Sequence, residues 1–357
     1  MSQPRGRLAV LSQDPFNAET VLAEHHGLIT PNHSFYKRNH FHVPEIDASS
    51  WTVTIEGAVD QPQVLSLDDL LSLPRRSLTV TMECAGNGRS SFQPAVAGEP
   101  WEYGAASTAE WTGAQLRDVI EEAGLRDVAQ EVIVEGADGG HVADAGGSVT
   151  YVRSVPIETA LHPDTLLAYT MNGEPLPVEH GFPVRLLVPG WYGMASVKWV
   201  TRIAAVSEPY RGFYQWDRYV MLDPADETRR SPLREMRIRS LFTAPVHGAL
   251  LWSDRHHLRG FAWSGSDPVE RVEVSTDGGA SWEAARFTSA SQPYAWRGWE
   301  APWEPAQPGT YTLQCRAFDA AGASQPAEPE WNRLGYANNA IHSVQVHVGN
   351  APAQTRT

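Results

Sequence analysis

Short stretches of alternating hydrophobic and polar residues run through the first two thirds of the chain and predict β-strands. Asn172-Gly173 adds a tight turn between two of these strands. The predicted strands are 51–55, 78–82, 131–135, 166–171, 175–178 and 184–188. Short helices are predicted between them, so this part of the chain is expected to be α+β.

Two of the predicted helices carry a recognisable start. Ser66 is followed three residues later by Asp69, ahead of several leucines, and Pro74 ends the segment. Thr112 is followed in the same way by Gln115, ahead of a second apolar face. In this pattern the side chain of the first residue accepts a hydrogen bond from the backbone N–H three positions later. The side chain of that later residue accepts one from the backbone N–H of the first. We therefore predict helices after Ser66 and after Thr112.

After about residue 225 the helix signals disappear and the alternation becomes typical of a β-sandwich. Strands are indicated at 272–274, 311–317 and 344–348, with turn residues at 277–279 and 319–322. A polar stretch at 224–232 is the predicted linker. The predicted organisation is an N-terminal extension (1–29), an α+β domain (30–224) and an all-β domain (225–350).

Length and charge narrow the class of protein. A chain of 357 residues is longer than one core usually supports, which agrees with two domains. The net charge of -14 argues against nucleic acid and anionic membranes as partners. No apolar run is long enough to cross a membrane, and MSQPRGRLAV at the N-terminus lacks a secretory or twin-arginine pattern. A cytoplasmic protein is expected, or a periplasmic one if a signal has been removed.

The first 33 residues look irregular and are rich in histidine. The histidines of this region and just beyond have no regular spacing, which favours scattered surface residues over a zinc site; they are His25, His26, His33, His40 and His42. The two cysteines, Cys84 and Cys315, fall in different predicted domains, so a disulfide is not expected. Cys315 lies on an alternating strand and is interpreted as a packed core residue.

Cys84 stands at the end of a predicted strand, followed by Gly-Asn-Gly and then by Arg89. Three interpretations follow from these residues alone. The thiol is a buried core group, a nucleophile activated by a histidine such as His40 or His180, or a soft ligand for a transition metal. The local pattern does not choose among them.

Five sequence blocks together resemble the sulfite oxidase family. Residues 83–89, Glu-Cys-Ala-Gly-Asn-Gly-Arg, are similar to its cysteine motif, and residues 35–40, Phe-Tyr-Lys-Arg-Asn-His, to its pterin-contacting segment. The other three blocks follow in the family's order at 101–111, 171–185 and 196–199. The resemblance covers roughly residues 30–220. It implies an α+β sulfite oxidase-type molybdopterin-binding domain followed by an all-β immunoglobulin-like sandwich domain. Residues 331–342 resemble the last strand region of that second domain in the family.

The resemblance implies a molybdenum–molybdopterin cofactor, without haem, in which Cys84 is the protein ligand to the metal. Arg185 and Lys198 suit a phosphate group. Asp138 is the least secure match, because a turn aspartate is a competing interpretation. The positions that match cofactor-binding residues of the family are Phe35, Tyr36, Arg38, Asn39, His40, Cys84, Asp138, His180, Arg185, Ser196, Val197 and Lys198.

The implied reaction is oxidation of sulfite to sulfate by oxygen-atom transfer, with electrons passed to an external acceptor such as a cytochrome c. The implied catalytic residues are Arg38, His40, Arg89, Trp101 and Tyr219. Leu334 departs from the family, some of whose members have an arginine at this position of the anion pocket. Another sulfur compound or a sulfoxide is therefore an alternative substrate, and a cofactor-free dimeric binding module is a second alternative. A homodimer is expected from the second domain.

Overall fold

The computed structural model describes residues 7–223 and 225–350. Residues 1–6, part of the segment searched for a signal, and Pro224, the first residue of the predicted linker, lie outside this description. The expectation of an irregular N-terminal stretch is wrong, because β1 (Leu8–Gln13) and β2 (Phe16–Thr20) form an antiparallel hairpin. The Thr20 N–H donates to the Gly104 carbonyl at 3.0 Å, which holds the hairpin on the first domain.

Two five-stranded sheets build the first domain. One has the order β10-β9-β6-β5 with β11 also paired to β9, and the other has the order β4-β3-β12-β7-β8. The strands are β3 (Thr52–Gly57), β4 (Gln63–Ser66), β5 (Arg75–Glu83), β6 (Ala106–Gln115), β7 (Glu131–Val142), β8 (Gly147–Pro156), β9 (Leu166–Met171), β10 (Glu174–Pro175), β11 (Arg185–Leu187) and β12 (Val200–Val206). Short helices connect them: α1 (Leu67–Ser72), α2 (Leu116–Glu122) and α3 (Ile157–Ala160). The α+β prediction is confirmed.

The two predicted helix caps have different outcomes. Ser66 Oγ accepts from the Asp69 N–H at 3.2 Å and the Asp69 carboxylate accepts from the Ser66 N–H at 2.8 Å, so α1 begins as predicted. The prediction of a cap at Thr112 is wrong, because β6 continues through Gln115 and α2 begins only after it, without a side-chain cap. Thr112 Oγ1 instead lies 2.7 Å from Ser77 Oγ on β5. Pairing of β5 with β6 stabilises the strand more than a local cap stabilises a helix there.

The predicted strand at 175–178 is also wrong. Only Glu174–Pro175 pairs with β9, after the predicted turn at Asn172-Gly173, where Asn172 has a φ of 54° and Gly173 one of 78°. The chain then forms a 3₁₀ turn at Val178–His180. This turn, rather than a strand, carries His180 to the interior.

The second domain contains β-strands and no helix among its described residues. β13 (Val220–Asp223) lies at the end of the first domain. The strands of the second domain are β14 (Asp226–Pro232), β15 (Arg239–Ala244), β16 (Leu250–Trp252), β17 (His256–Trp263), β18 (Val269–Ser275), β19 (Glu283–Ala284), β20 (Arg286–Phe287), β21 (Arg297–Trp303), β22 (Gly309–Asp319) and β23 (His342–Gly349). Two sheets, β15-β17-β21-β20 and β16-β23-β22-β18-β19, enclose one core, in which Cys315 is fully buried as expected. The described residues of the predicted linker, 225–232, include β14, which pairs with β13 as a hairpin.

A buried ion pair joins the two domains beside Cys84. Arg239, at the start of β15, donates to the carboxylate of Glu83, the last residue of β5, and both side chains are 1% exposed. The same carboxylate accepts from Trp263 Nε1 at 2.9 Å and from Asn87 Nδ2 at 3.0 Å. The second domain therefore helps to fix the strand end from which Cys84 follows.

Candidate active site

The loop that carries Cys84 is held by its own backbone. The Cys84 N–H donates to the Ala105 carbonyl at 2.8 Å, and the Asn87 N–H donates to the Cys84 carbonyl at 2.9 Å. At Gly86 a Cβ would lie 2.6 Å from the Arg89 guanidinium, so a side chain there would displace that group. The absence of a side chain at Gly86 therefore lets the Arg89 guanidinium pack against the loop that carries Cys84.

Two cavities meet at Cys84. The inner one has a volume of about 620 Å³, and the outer one, which is lined by residues of both domains, about 1180 Å³, each including space that is open to solvent. Four residues line both: Arg38, His40, Cys84 and Tyr219. The thiol, on a side chain that is 6% exposed, is thus available to a group in the inner cavity and to a molecule in the outer cavity.

Ten of the twelve residues matched to cofactor binding line the inner cavity. Asn39 and Val197 do not. Asn39 accepts a hydrogen bond from Lys198 through its side-chain oxygen, and Val197 is fully buried in the core of the domain. Those that line it are Phe35, Tyr36, Arg38, His40, Cys84, Asp138, His180, Arg185, Ser196 and Lys198.

Buried cations form one wall of the inner cavity. Arg185 donates to the carbonyls of His180 and Ser196 at 3.0 and 2.8 Å. Lys198 Nζ donates to the carbonyls of Arg38 and Glu179 at 3.1 and 2.9 Å. Burial lowers the pKa of Arg185 to about 10 and also lowers the pKa of Lys198. An anionic group in the cavity would offset this cost of burying positive charge.

Two polar atoms of the inner cavity have no hydrogen-bond partner among the described residues. They are His180 Nε2 and Asp138 Oδ1, and both residues are at most 5% exposed. Since buried polar atoms are normally satisfied, they indicate a polar ligand. Together with the cations and a single thiol, they fit a phosphate-bearing group that carries a soft metal.

Asp138 is not a turn aspartate. It lies on β7 where the register with β8 shifts between Glu135 and Gly139, and this irregularity places its carboxyl in the cavity. Burial raises the pKa of Asp138 to about 6, while the charge of Lys198 opposes the rise. The matched position is therefore placed at the site, as the resemblance implied.

A histidine–tyrosine pair lies between the two cavities. His40 Nε2 is 2.6 Å from the Tyr219 hydroxyl, and the His40 ring stacks on Tyr151 at 4.7 Å. Burial, reinforced by the charge of Arg38, holds the pKa of His40 well below its usual range. Burial also raises the pKa of Tyr219. At neutral pH the pair therefore consists of a neutral imidazole and a protonated phenol.

Arg89, Trp101 and Leu334 line the outer cavity. Arg89 donates from Nε to the Gly335 carbonyl at 3.1 Å, and Trp101 is fully buried. Sequence reasoning missed several other lining residues: Met82, Tyr151, Glu179, Gly193 and Met194 in the inner cavity, and Phe213, Tyr214, Arg218, Arg333 and Tyr336 in the outer. Of these, Met82 had a local signal, because it is two residues before Cys84 on the same strand face.

The histidines of the N-terminal region differ in their exposure to solvent. His26, His33 and His42 are exposed, whereas His25 is buried against Trp296, with ring centroids 5.0 Å apart. The described residues contain no group of three or more His, Cys, Asp or Glu that could hold a metal ion. Because His25 is buried and His40 lines both cavities, the interpretation as surface histidines is wrong for these two residues. Within the described residues, no helix is both long and apolar enough to span a membrane.

The fold and the site define a two-domain protein with a cation-lined cavity beside one buried cysteine. Family comparison agrees: residues 40–214 match the oxidoreductase molybdopterin binding domain, and residues 230–349 match the Mo-co oxidoreductase dimerisation domain. A chicken protein named sulfite oxidase is 39% identical over 94% of this chain and 77% of its own length. The chain belongs to the sulfite oxidase family of molybdopterin-dependent oxidoreductases.

Other relatives vary in the substrate they are named for. Mouse mitochondrial sulfite oxidase is 40% identical, and the match covers 96% of this chain and 66% of the mouse protein. A rice NADH nitrate reductase is 34% identical, over 96% of this chain and 41% of its own length. The solved structure of the sulfane dehydrogenase SoxCD from Paracoccus pantotrophus superposes with a TM-score of 0.80 at 29% identity, covering 98% of this chain and 89% of that one.

Proposed function

We propose that this protein oxidises sulfite to sulfate by molybdenum-dependent oxygen-atom transfer and passes the electrons to an external acceptor such as a cytochrome c. One observation carries the proposal: the Cys84 thiol lies where a cation-lined inner cavity meets an outer cavity that contains Arg38 and Arg89. The names of the mouse and chicken relatives support sulfite as the substrate.

The inner cavity would hold the molybdopterin. Arg185 and Lys198 would neutralise its phosphate, and His180 Nε2 and Asp138 would satisfy polar atoms of the pterin. Burial raises the pKa of the Cys84 thiol, against the charges of Arg38 and Arg89, but a bound metal cation would keep the sulfur deprotonated. When bound, the molybdenum group supplies two-electron redox chemistry and oxygen-atom exchange.

The residues of the outer cavity would bind and orient the anion. Arg38 and Arg89 supply positive charge next to Cys84, and the hydroxyl of Tyr219 supplies a donor between the cavities. His40, neutral at working pH, holds that hydroxyl in place. Fixed charges and donors of this kind lower the barrier because they need no reorganisation during the reaction.

We further infer that the second domain, as an immunoglobulin-like sandwich, pairs two copies of the chain into a homodimer. Its match to a dimerisation domain of molybdenum cofactor oxidoreductases supports this. Size-exclusion chromatography with light scattering tests it, and the mass of one chain at micromolar concentration would contradict it.

Metal analysis combined with an activity assay tests the proposed function. Protein purified from cells that make molybdopterin should contain about one molybdenum per chain and should reduce ferricyanide when sulfite is added. Protein that contains molybdenum but does not turn over sulfite would rule out sulfite as the substrate and leave the proposed cofactor standing. Protein without molybdenum from such cells would favour the cofactor-free binding module.

Tyr219→Phe removes the hydroxyl that lies 2.6 Å from His40. We expect kcat/KM for sulfite to fall roughly 10²-fold, the usual effect of losing one preorganised donor. Molybdenum content should stay at the wild-type value. Tyr294→Phe is the matched control, because its hydroxyl donates to Asp164 at 2.8 Å away from both cavities. Equal losses in the two variants would show that the Tyr219 effect is merely structural.

A further inference from the structure

We propose that the same site also oxidises organic sulfinates, R–SO₂⁻, to sulfonates. The inference rests on the proposed function and adds a second class of substrate to it. The balance is R–SO₂⁻ + H₂O → R–SO₃⁻ + 2 H⁺ + 2 e⁻: sulfur gains one S–O bond, the added oxygen comes from water, and the electrons go to the same external acceptor. A sulfinate sulfur carries a lone pair, as sulfite sulfur does.

The hydrogen-bond donors next to Cys84 suit an anion with two oxygens. Arg89 donates from three nitrogens to the carbonyls of Gly335, Glu99 and Leu334, so most of its N–H groups are already used. In Arg38 only Nη1 is hydrogen-bonded within the described residues, to Asn39 and Asn17. Its Nε and Nη2 remain as a planar fork, which matches the two oxygens of a sulfinate.

The charge around the outer cavity suits a monoanion. Arg333 pairs with Glu227 at 3.0 Å, and Arg218 pairs with Asp144, so neither rim arginine adds uncompensated charge. Leu334 contributes an uncharged side chain to the wall. The net positive charge near the thiol is thus that of Arg38 and Arg89, reduced by the carboxylate of Glu99 in the same wall.

The outer cavity also has room and apolar surface for an organic substituent. Sulfite has only three oxygens around sulfur, whereas the outer cavity, counted with its part open to solvent, has a volume of about 1180 Å³. Leu334 is partly buried, packs on the main core, and has its carbonyl fixed by Arg89. The apolar and aromatic residues of the wall include Ala97, Trp101, Val142, Phe213, Leu334 and Tyr336. Contact with them stabilises the R group of a bound sulfinate.

Leu334→Ser tests this inference, because it removes apolar contact without changing charge. Ferricyanide reduction is measured with benzenesulfinate, methanesulfinate and sulfite on the molybdenum-loaded protein. We expect turnover of both sulfinates in the wild type. In the variant, the ratio of kcat/KM for benzenesulfinate to kcat/KM for sulfite should fall roughly tenfold, the effect of a small loss of apolar contact. Leu250→Ser, on an exposed edge strand, is the matched control.

Binding of the product gives a second measurement that needs no turnover. Benzenesulfonate should bind the wild type in isothermal titration calorimetry and should bind Leu334→Ser roughly tenfold more weakly. Sulfite turnover without sulfinate turnover would overturn this inference and leave the proposed function standing. Failure of both substrates in protein that contains molybdenum would reject both. Sulfinate turnover that Leu334→Ser leaves unchanged would overturn the assignment of the R group to this wall.

Discussion

In Cys84→Ser we expect sulfite-dependent reduction of ferricyanide to fall by more than the roughly 10³-fold that loss of one preorganised donor can cost. A thiolate is a soft, strongly donating ligand, and a serine hydroxyl is a hard one that stays protonated. The cations of the inner cavity do not depend on Cys84 for their hydrogen bonds, so the variant should fold with little change in Tm. Steady-state turnover and molybdenum content are the measurements.

Cys315→Ser is the matched control for that substitution. Cys315 is also buried, but it packs in the core of the second domain with Ser240 Oγ 3.5 Å from its sulfur. Turnover per molybdenum should match the wild type in this variant. Turnover in Cys84→Ser within tenfold of the wild type would contradict the assignment of Cys84 as the metal ligand.

Arg239→Met should lower the free energy of unfolding by about 3–5 kcal/mol, because it leaves the Glu83 carboxylate buried and uncompensated. Met preserves much of the length of the side chain, so the effect reports mainly on charge. Trp263 and Asn87 still donate to the carboxylate, and these two neutral donors cannot replace the guanidinium. Urea unfolding followed by circular dichroism gives the measurement.

Two variants complete this experiment. Arg286→Met breaks an ion pair with Glu300 in which the arginine side chain is 72% exposed, and it should cost less than about 1 kcal/mol. Adding Glu83→Gln to Arg239→Met removes the buried charge and should recover part of the lost stability. If Arg239→Met alone lowered the free energy of unfolding by less than about 1 kcal/mol, the ion pair would not stabilise the contact between the domains.

The sequence predicted those parts of the structure that depend on neighbouring residues. The strand that ends before Cys84, the cap formed by Ser66 and Asp69, and the alternation around Cys315 all follow from local periodicity and side-chain chemistry. The resemblance supplied most of the residues that line the inner cavity, because contiguous blocks carry them. The residues around Cys84 did not distinguish a core thiol, a nucleophile and a metal ligand. Only the family resemblance pointed to the metal ligand.

What the sequence missed depends on contacts between distant residues. Thr112 looked like a helix cap, but pairing with Ser77 on a neighbouring strand keeps it extended. Arg239 carried no local sign that it would meet Glu83, which lies more than 150 positions earlier. Asn39 matched a cofactor position, but its sequence block gave no sign that its side-chain oxygen would accept a hydrogen bond from Lys198.

The ion pair between Glu83 and Arg239 also limits how such a chain can be rearranged during evolution. Each partner belongs to a different matched domain. A recombination event that exchanged only one domain would therefore leave an unpaired charge buried in the hybrid protein. Only a donor domain with the complementary residue would be tolerated. The two halves are therefore expected to be inherited together, and a split between them would have to remove both charges at once.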